Sequence, residues 1–197
     1  MITPKRKQRI KDIISQRQKG LTVIFEDIYD PHNAAAVLRT CDGFGIQKVC
    51  FIFDKQKSFN PRKIGKVSSS SANKWLDFYK YKSTHKCYED LREKGYKIIA
   101  TILDEESENI FTSSFTEEKL ALVFGNEHTG LSKSARKLAD RKLHIPMNGF
   151  VQSLNLSVTA AICIFEVTRQ RLNLKNKTDF TISKNRQREL YEKFIEK

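Results

Sequence analysis

The 197-residue chain has little with which to build a cross-linked or metal-held fold. Its four cysteines, Cys41, Cys50, Cys87 and Cys163, show no CxxC spacing and no nearby paired histidines, so neither a disulfide framework nor a zinc site is indicated. Reduced structural thiols in a cytoplasmic protein are the simple reading. No apolar run approaches the length of a membrane span, and the basic opening MITPKRKQRI lacks the apolar stretch of a secretory leader. Two nucleotide signatures are missing as well. There is no GxGxxG after the first predicted strand and no P-loop glycine-lysine motif, so ordinary dinucleotide-binding and P-loop enzymes lose their main support.

What the chain does have is positive charge, unevenly placed. The formal net charge is +13. Residues 1–20 hold seven Lys or Arg against one acid, and residues 169–197 hold nine against four, so the long middle is almost neutral. Basic ends on a near-neutral core suit a polyanion, with nucleic acid ahead of an anionic membrane surface; a generally Lys-rich solvated surface is the bland alternative. Apolar residues make up 39%, enough for a packed globule.

Hydrophobic patterning alternates strands with helices. Pro4 suits a helix start, with Ile10, Ile13 and Ile14 at helical spacing to residue 18. Continuous apolar runs at 21–25, 48–53, 96–103 and 119–125 read as buried strands, and 75–79 and 142–146 as shorter ones. Helices are expected at 34–44, 85–94, 132–140 and 153–171, the last burying Leu154, Val158, Ala161, Ile162 and Phe165, with an amphipathic helix closing the chain. Residues 54–74 read as a long basic loop containing Lys55, Lys57, Arg62, Lys63 and Lys66. Continuously apolar strands imply a mostly parallel α/β sheet covered on both faces. Ligands in such folds sit beyond the carboxyl ends of the strands, which singles out the polar loops 26–33, 125–131 and 146–153 as parts of one site.

Three segments then carry a resemblance: DPHNAAAVLRTCDGFGI (30–46), LVFGNEHTGLS (122–132) and IPMNGFVQSLNLSVTAAICIFE (145–166). In this order and spacing they resemble the three motifs of the SpoU-type RNA 2'-O-methyltransferases, and the likeness extends through the loop at 67–75, the strand at 96–105 and both basic ends. The resemblance implies a SPOUT-type α/β fold with a C-terminal deep trefoil knot formed by loops 125–131 and 146–153, S-adenosylmethionine as cofactor, no metal, no membrane, and a homodimer with its site near the interface. It divides the chain into an N-terminal basic extension (1–20), a methyltransferase domain (21–171) and a C-terminal basic extension (172–197).

The family motifs place catalytic roles on Arg39, Asn33, Glu127, Ser153 and Asn155, with Glu127 orienting Arg39. A guanidinium is a poor base at neutral pH, so activating the 2'-hydroxyl and stabilising its developing charge both remain open for Arg39. Taken alone, Asn33 reads as a helix N-cap, and Ser153 and Asn155 as caps of the long helix. The resemblance carries cofactor contacts onto Thr101, Gly125, Ile145, Met147 and Leu154. RNA contacts are expected from Arg6, Lys7, Arg9 and Lys11, from Lys55, Lys57, Arg62 and Lys63, and from Arg169, Arg171, Arg186 and Arg188. The expected substrate is tRNA, at guanosine 18 of the D-loop. The wobble ribose, ribosomal RNA and non-catalytic RNA binding on the same fold are the alternatives.

Overall fold

Strand β1, Gln18–Glu26, carries Leu21, Val23 and Phe25 on one side and Thr22 and Ile24 on the other, and all five are buried. Only a strand covered on both faces tolerates that pattern. The computed structural model describes residues 2–64, 71–174 and 180–197; Lys66 and residues 67–70 of the 67–75 loop lie outside the described residues. Around β1 run β2 (Ile46–Ile52), β3 (Asp77–Tyr81), β4 (Lys97–Thr101), β5 (Glu108–Asn109), β6 (Leu120–Phe124) and β7 (Arg141–His144). They form one seven-stranded sheet in the order β3-β2-β1-β6-β4-β7-β5, and every neighbouring pair is parallel.

The two-residue period of the strands sorts the core into two layers. Val23, Phe25, Val49, Phe51, Leu122 and Phe124 face α2 (Pro31–Gly43) and α5 (Leu156–Asn173). Ile24, Cys50, Ile98, Ala121 and Val123 face α3 (Thr84–Glu93) and α4 (Lys133–Leu138), which supply Cys87, Tyr88, Leu91 and Ala135. Each fully buried Leu, Ile or Phe contributes about 1.5–3 kcal/mol of apolar transfer. The sheet is therefore held symmetrically, and its carboxyl edge is left free for loops.

Local chemistry sets the element ends. Asp30 caps α2 through the amide of His32 at 2.8 Å, so Asn33 lies one turn inside the helix and is not its N-cap. Gly45, at φ +74°, turns the chain from α2 into β2, a conformation that favours glycine. Asn155 caps α5, so this helix begins at Leu156, three residues later than periodicity suggests. Its buried apolar positions are Ala160, Cys163, Ile164 and Val167, whereas Val158 (46%) and Phe165 (52%) are exposed. The expected burial of those two is thus corrected: α5 buries the neighbouring stripe and turns an apolar one outward.

The chain ends meet. Helix α1 (Pro4–Ser15) places Ile10 and Ile14 against Ile182, Leu190 and Phe194 of the final segment, which includes α6 (Lys184–Ile195). Trp75 packs on Phe194, and Asp77 of β3 is bridged by Arg186 and Lys193, so the paired ends lie along the β3 edge.

Candidate active site

Beyond the carboxyl ends of β4, β6 and β7 lies a cavity of about 780 Å³. Its size suits a small-molecule or cofactor pocket. The walls come from Thr101–Leu103 after β4, the 125–131 loop after β6, Ile145 and Met147 after β7, and the segment from Gln152 to Leu156 that enters α5. Of the five expected cofactor positions, all five (Thr101, Gly125, Ile145, Met147 and Leu154) line this one cavity. Thr101 donates its hydroxyl to the Val123 carbonyl at 2.8 Å, which ties the β4 end to β6 and makes Thr101 a wall element.

The 125–131 loop is a tight hairpin closed by two hydrogen bonds between Asn126 and Gly130. A Cβ on Gly125 would stand 2.5 Å from the Gly130 carbonyl carbon and the Leu131 nitrogen, so only glycine lets the two arms approach. Asn126 is buried; it donates to the Asp27 carbonyl at 2.8 Å and accepts from the amides of His128 and Thr129. Asp27, at φ +51°, in turn accepts from the amides of Asp54, Lys55 and Gln56. The loops after β1, β2 and β6 are thereby joined into one rim. Buried Glu26 completes it by accepting from Ser132 and Thr84 at the starts of α4 and α3. Glu26 and Asp27 escaped sequence reading; two consecutive acids at a strand's carboxyl end were the available signal.

Glu127 sits between the first and second motifs. Its carboxylate accepts from the Tyr29 amide at 2.8 Å, the Asp30 amide at 3.1 Å and the Asn33 side chain at 3.0 Å. Asn33 accepts in turn from Asn155 Nδ2 at 3.1 Å, and Asn155 Oδ1 accepts from Ser157. Glu127, Asn33 and Asn155 thus form a continuous polar relay along one wall, each lining the cavity. This corrects one expectation: Glu127 orients Asn33 and the start of α2, and does not reach Arg39. The Arg39 side chain is exposed, makes no hydrogen bond or ion pair among the described residues, and is not part of the cavity lining. Six residues along a helix of 3.6 per turn put it on another face from Asn33. Ser153 lines the cavity beside Gln152, and neither side chain has a partner among the described residues.

Those unpartnered polar groups, set among Leu103, Ile145, Met147 and Leu154, give what a nucleoside cofactor needs: apolar walls for a flat ring and a few donors and acceptors for its edges. Several lining residues were not foreseen, Arg136 and Cys163 among them. Arg136 of α4 anchors its Nε on the Leu131 carbonyl at 2.9 Å, and Cys163 forms part of the floor. Burial pushes the Cys163 thiol up to about 12, so it stays protonated at neutral pH and is a poor nucleophile.

The basic residues divide by burial. Arg6, Lys7, Arg9, Lys11, Lys55, Lys57, Arg62, Lys63 and Arg188 are exposed. Arg62 lies over Phe78 and Lys11 over Tyr191. Arg169 is paired with Glu166, and Arg186 with Asp77 and Glu189. Arg171 departs from the expected set. It is 2% exposed and donates to the carbonyls of Lys19, Gly20, Glu117 and Glu118, with Phe180 4.4 Å from its guanidinium. Those carbonyls lie at the amino ends of β1 and β6, the opposite end of the sheet from the cavity. Arg171 is a structural clamp with no face for RNA.

A parallel α/β sheet with its pocket beyond the carboxyl strand ends, entered by glycine-bearing loops without a dinucleotide fingerprint, defines a class of nucleoside-cofactor-binding proteins distinct from the ordinary Rossmann type. Within that class the assignment is specific. Residues 20–165 match the SpoU rRNA methylase family, and the chain belongs to it. It is 37% identical to a Thermus thermophilus protein named tRNA (guanosine(18)-2'-O)-methyltransferase over 172 residues, covering 86% of this chain and 85% of that one. The fold is similar to that of an A. aeolicus TrmH/SpoU tRNA modifying enzyme, with TM-score 0.86, 31% identity, and coverage of 96% and 94%. It is also similar to the Streptomyces viridochromogenes SpoU methyltransferase AviRb in complex with AdoMet, with TM-score 0.68, 26% identity, and coverage of 83% and 65%.

Proposed function

We propose that this protein methylates the ribose 2'-hydroxyl of tRNA at guanosine 18, using S-adenosylmethionine. The observation that carries the reading is the meeting of all three motifs at one cavity, where the Glu127–Asn33–Asn155 relay borders the cofactor wall formed by Thr101, Gly125, Ile145, Met147 and Leu154. The names borne by relatives of nearly the same length direct it to tRNA and to guanosine 18. When bound, the cofactor supplies a methyl group made electrophilic by its sulfonium. The chain's task is then alignment: Ile145, Met147 and Leu154 fix the ring, Gln152 and Ser153 offer hydrogen bonds, and the relay holds the acceptor ribose in place. Proximity of this kind accounts for several kcal/mol of a transfer barrier.

Two further parts of the reading concern assembly. Val158, Phe165 and Leu172 repeat every seven residues along α5 and are 46–55% exposed, beside Phe150 and Val151 in the preceding loop. An outward apolar stripe of this kind suits a second copy of the chain. Phe165 touches Phe44 at the end of α2, so a partner seated there lies against the helix that carries Arg39. Arg39, with no partner of its own, is then the catalytic arginine of the completed site. The connection from β7, which lies between β4 and β5, back to α5 over α2 suits a threaded C-terminal segment. The exposed Arg6, Lys7, Arg9, Lys11 and Arg188 on the paired end helices, with Lys55, Lys57, Arg62 and Lys63, are the RNA contacts.

Methyl transfer to an unmodified tRNA transcript, mapped by nucleotide, tests this. Label confined to guanosine 18, lost in Arg39→Ala without a change in thermal stability, is expected. Label at the wobble ribose or only on ribosomal RNA overturns the substrate assignment.

A further inference from the structure

Two exposed aromatic rings stand at the cavity mouth. Tyr29, in the loop after β1, is 60% exposed, and its ring centroid lies 5.2 Å from that of His128 at an interplanar angle of 71°. His128, in the loop after β6, lines the cavity rim. Among the described residues neither ring is placed by side-chain hydrogen bonding; both are placed through their backbones. The Tyr29 amide donates to Glu127 Oε2, and the His128 amide donates to Asn126, which itself holds the Asp27 carbonyl. The same Glu127 carboxylate takes Asn33 on its other oxygen. The aromatic pair and the polar relay are therefore two arms of one rigid bracket.

We infer that Tyr29 and His128 form a stacking platform for the base of the nucleotide whose ribose is methylated. This rests on the proposed methyl transfer to RNA. A ribose brought to the relay must have its base unstacked from its neighbours and placed somewhere. RNA-binding proteins receive splayed bases on exposed aromatic faces. Tyr29 offers one free face, and His128, edge-on to it, walls the platform toward the cavity. Water-exposed aromatic surface already fixed by backbone bonds loses little freedom when a base lands on it. Tyr29 is a positioning residue: it orders the substrate and takes no part in bond making.

The test uses Tyr29→Ala, Tyr29→Phe and His128→Ala, with an otherwise natural tRNA carrying 2-aminopurine at the methylated position to report stacking. Expected results are quenching of 2-aminopurine by the wild type and by Tyr29→Phe, and its loss in Tyr29→Ala. With unmodified tRNA, KM in Tyr29→Ala rises about tenfold or more, from the usual strength of one base–aromatic stack. Affinity for S-adenosylhomocysteine stays at the wild-type value. Unchanged KM and quenching in Tyr29→Ala overturn the platform. A changed sedimentation coefficient in that variant makes the ring a protein–protein contact and overturns it too, as does loss of S-adenosylhomocysteine binding. A wild type that methylates no RNA at all defeats the functional reading itself, a result distinct from an active wild type indifferent to Tyr29.

Discussion

Replacing Arg171 by Met separates a buried clamp from an RNA contact. Methionine keeps much of the length and removes the charge. Four backbone carbonyls lose their donor, and each acceptor left dry costs about 1–3 kcal/mol, for a gross loss of about 4–8 kcal/mol when some readmit water. Against this, burial has lowered the guanidinium from 12.5 to about 10, and at 1.36 kcal/mol per pH unit about 3 kcal/mol of unfavourable charge burial disappears with it. The net expectation is a destabilisation of about 1–5 kcal/mol, read as a lower urea midpoint at unchanged slope. Because Arg171 touches no solvent-facing phosphate position, the salt dependence of tRNA binding, measured where Arg171→Met is fully folded, should match the wild type. Arg188→Ala gives the opposite pattern: unchanged stability and a salt slope reduced by about 0.9. Arg171→Met that is as stable as the wild type but binds tRNA more weakly would falsify the clamp.

Gly125→Ala forces a Cβ against the Gly130 backbone and opens the hairpin; calorimetry should show at least tenfold weaker S-adenosylhomocysteine binding and a stability loss of about 1–3 kcal/mol. All four cysteines are buried, so an aromatic disulfide reagent should titrate none of them in the native protein and all four in urea. Hydrogen bonding to Arg141 holds the Glu108 carboxyl below its ordinary 4.5. Its stabilisation is therefore complete above about pH 4.5 and is lost as pH falls through the lower folded value; Arg141→Met should flatten the acid limb of a urea-midpoint profile below about pH 4.5. A limb as steep as the wild type's would place the acid sensitivity elsewhere.

The sheet was legible because parallel strands covered on both faces leave long apolar runs, as β1, β2, β4 and β6 do. Strand β5 was invisible: two residues, Glu108 and Asn109, carry no period, and their pairing exists only because β7 passes alongside. The start of α5 was misplaced since Ser153, Leu154 and Asn155 satisfy a helical pattern equally well, and only the Asn155 cap decides. The convergence of Thr101, Gly125, Ile145, Met147 and Leu154 on one cavity was legible through motif resemblance. The partners of Glu127 were not. A carboxylate ninety-odd positions from Asn33 gives no local signal of whether it takes amides or a guanidinium. Arg171 misled for a related reason: a basic residue in a basic tail looks solvated until the fold brings four carbonyls around it.

The packing of α1 on α6 has a consequence for biogenesis. The apolar side of α1, Ile10 and Ile14, is matched to Ile182, Leu190 and Phe194, which lie beyond every strand of the sheet in sequence. During synthesis α1 therefore has nothing to lie on until α6 has been made, while the sheet between them can already form. The basic residues of the two helices are brought side by side only at that late step. A truncation that removes Leu190 and Phe194 would unseat both helices together and leave the residues that line the cavity in place.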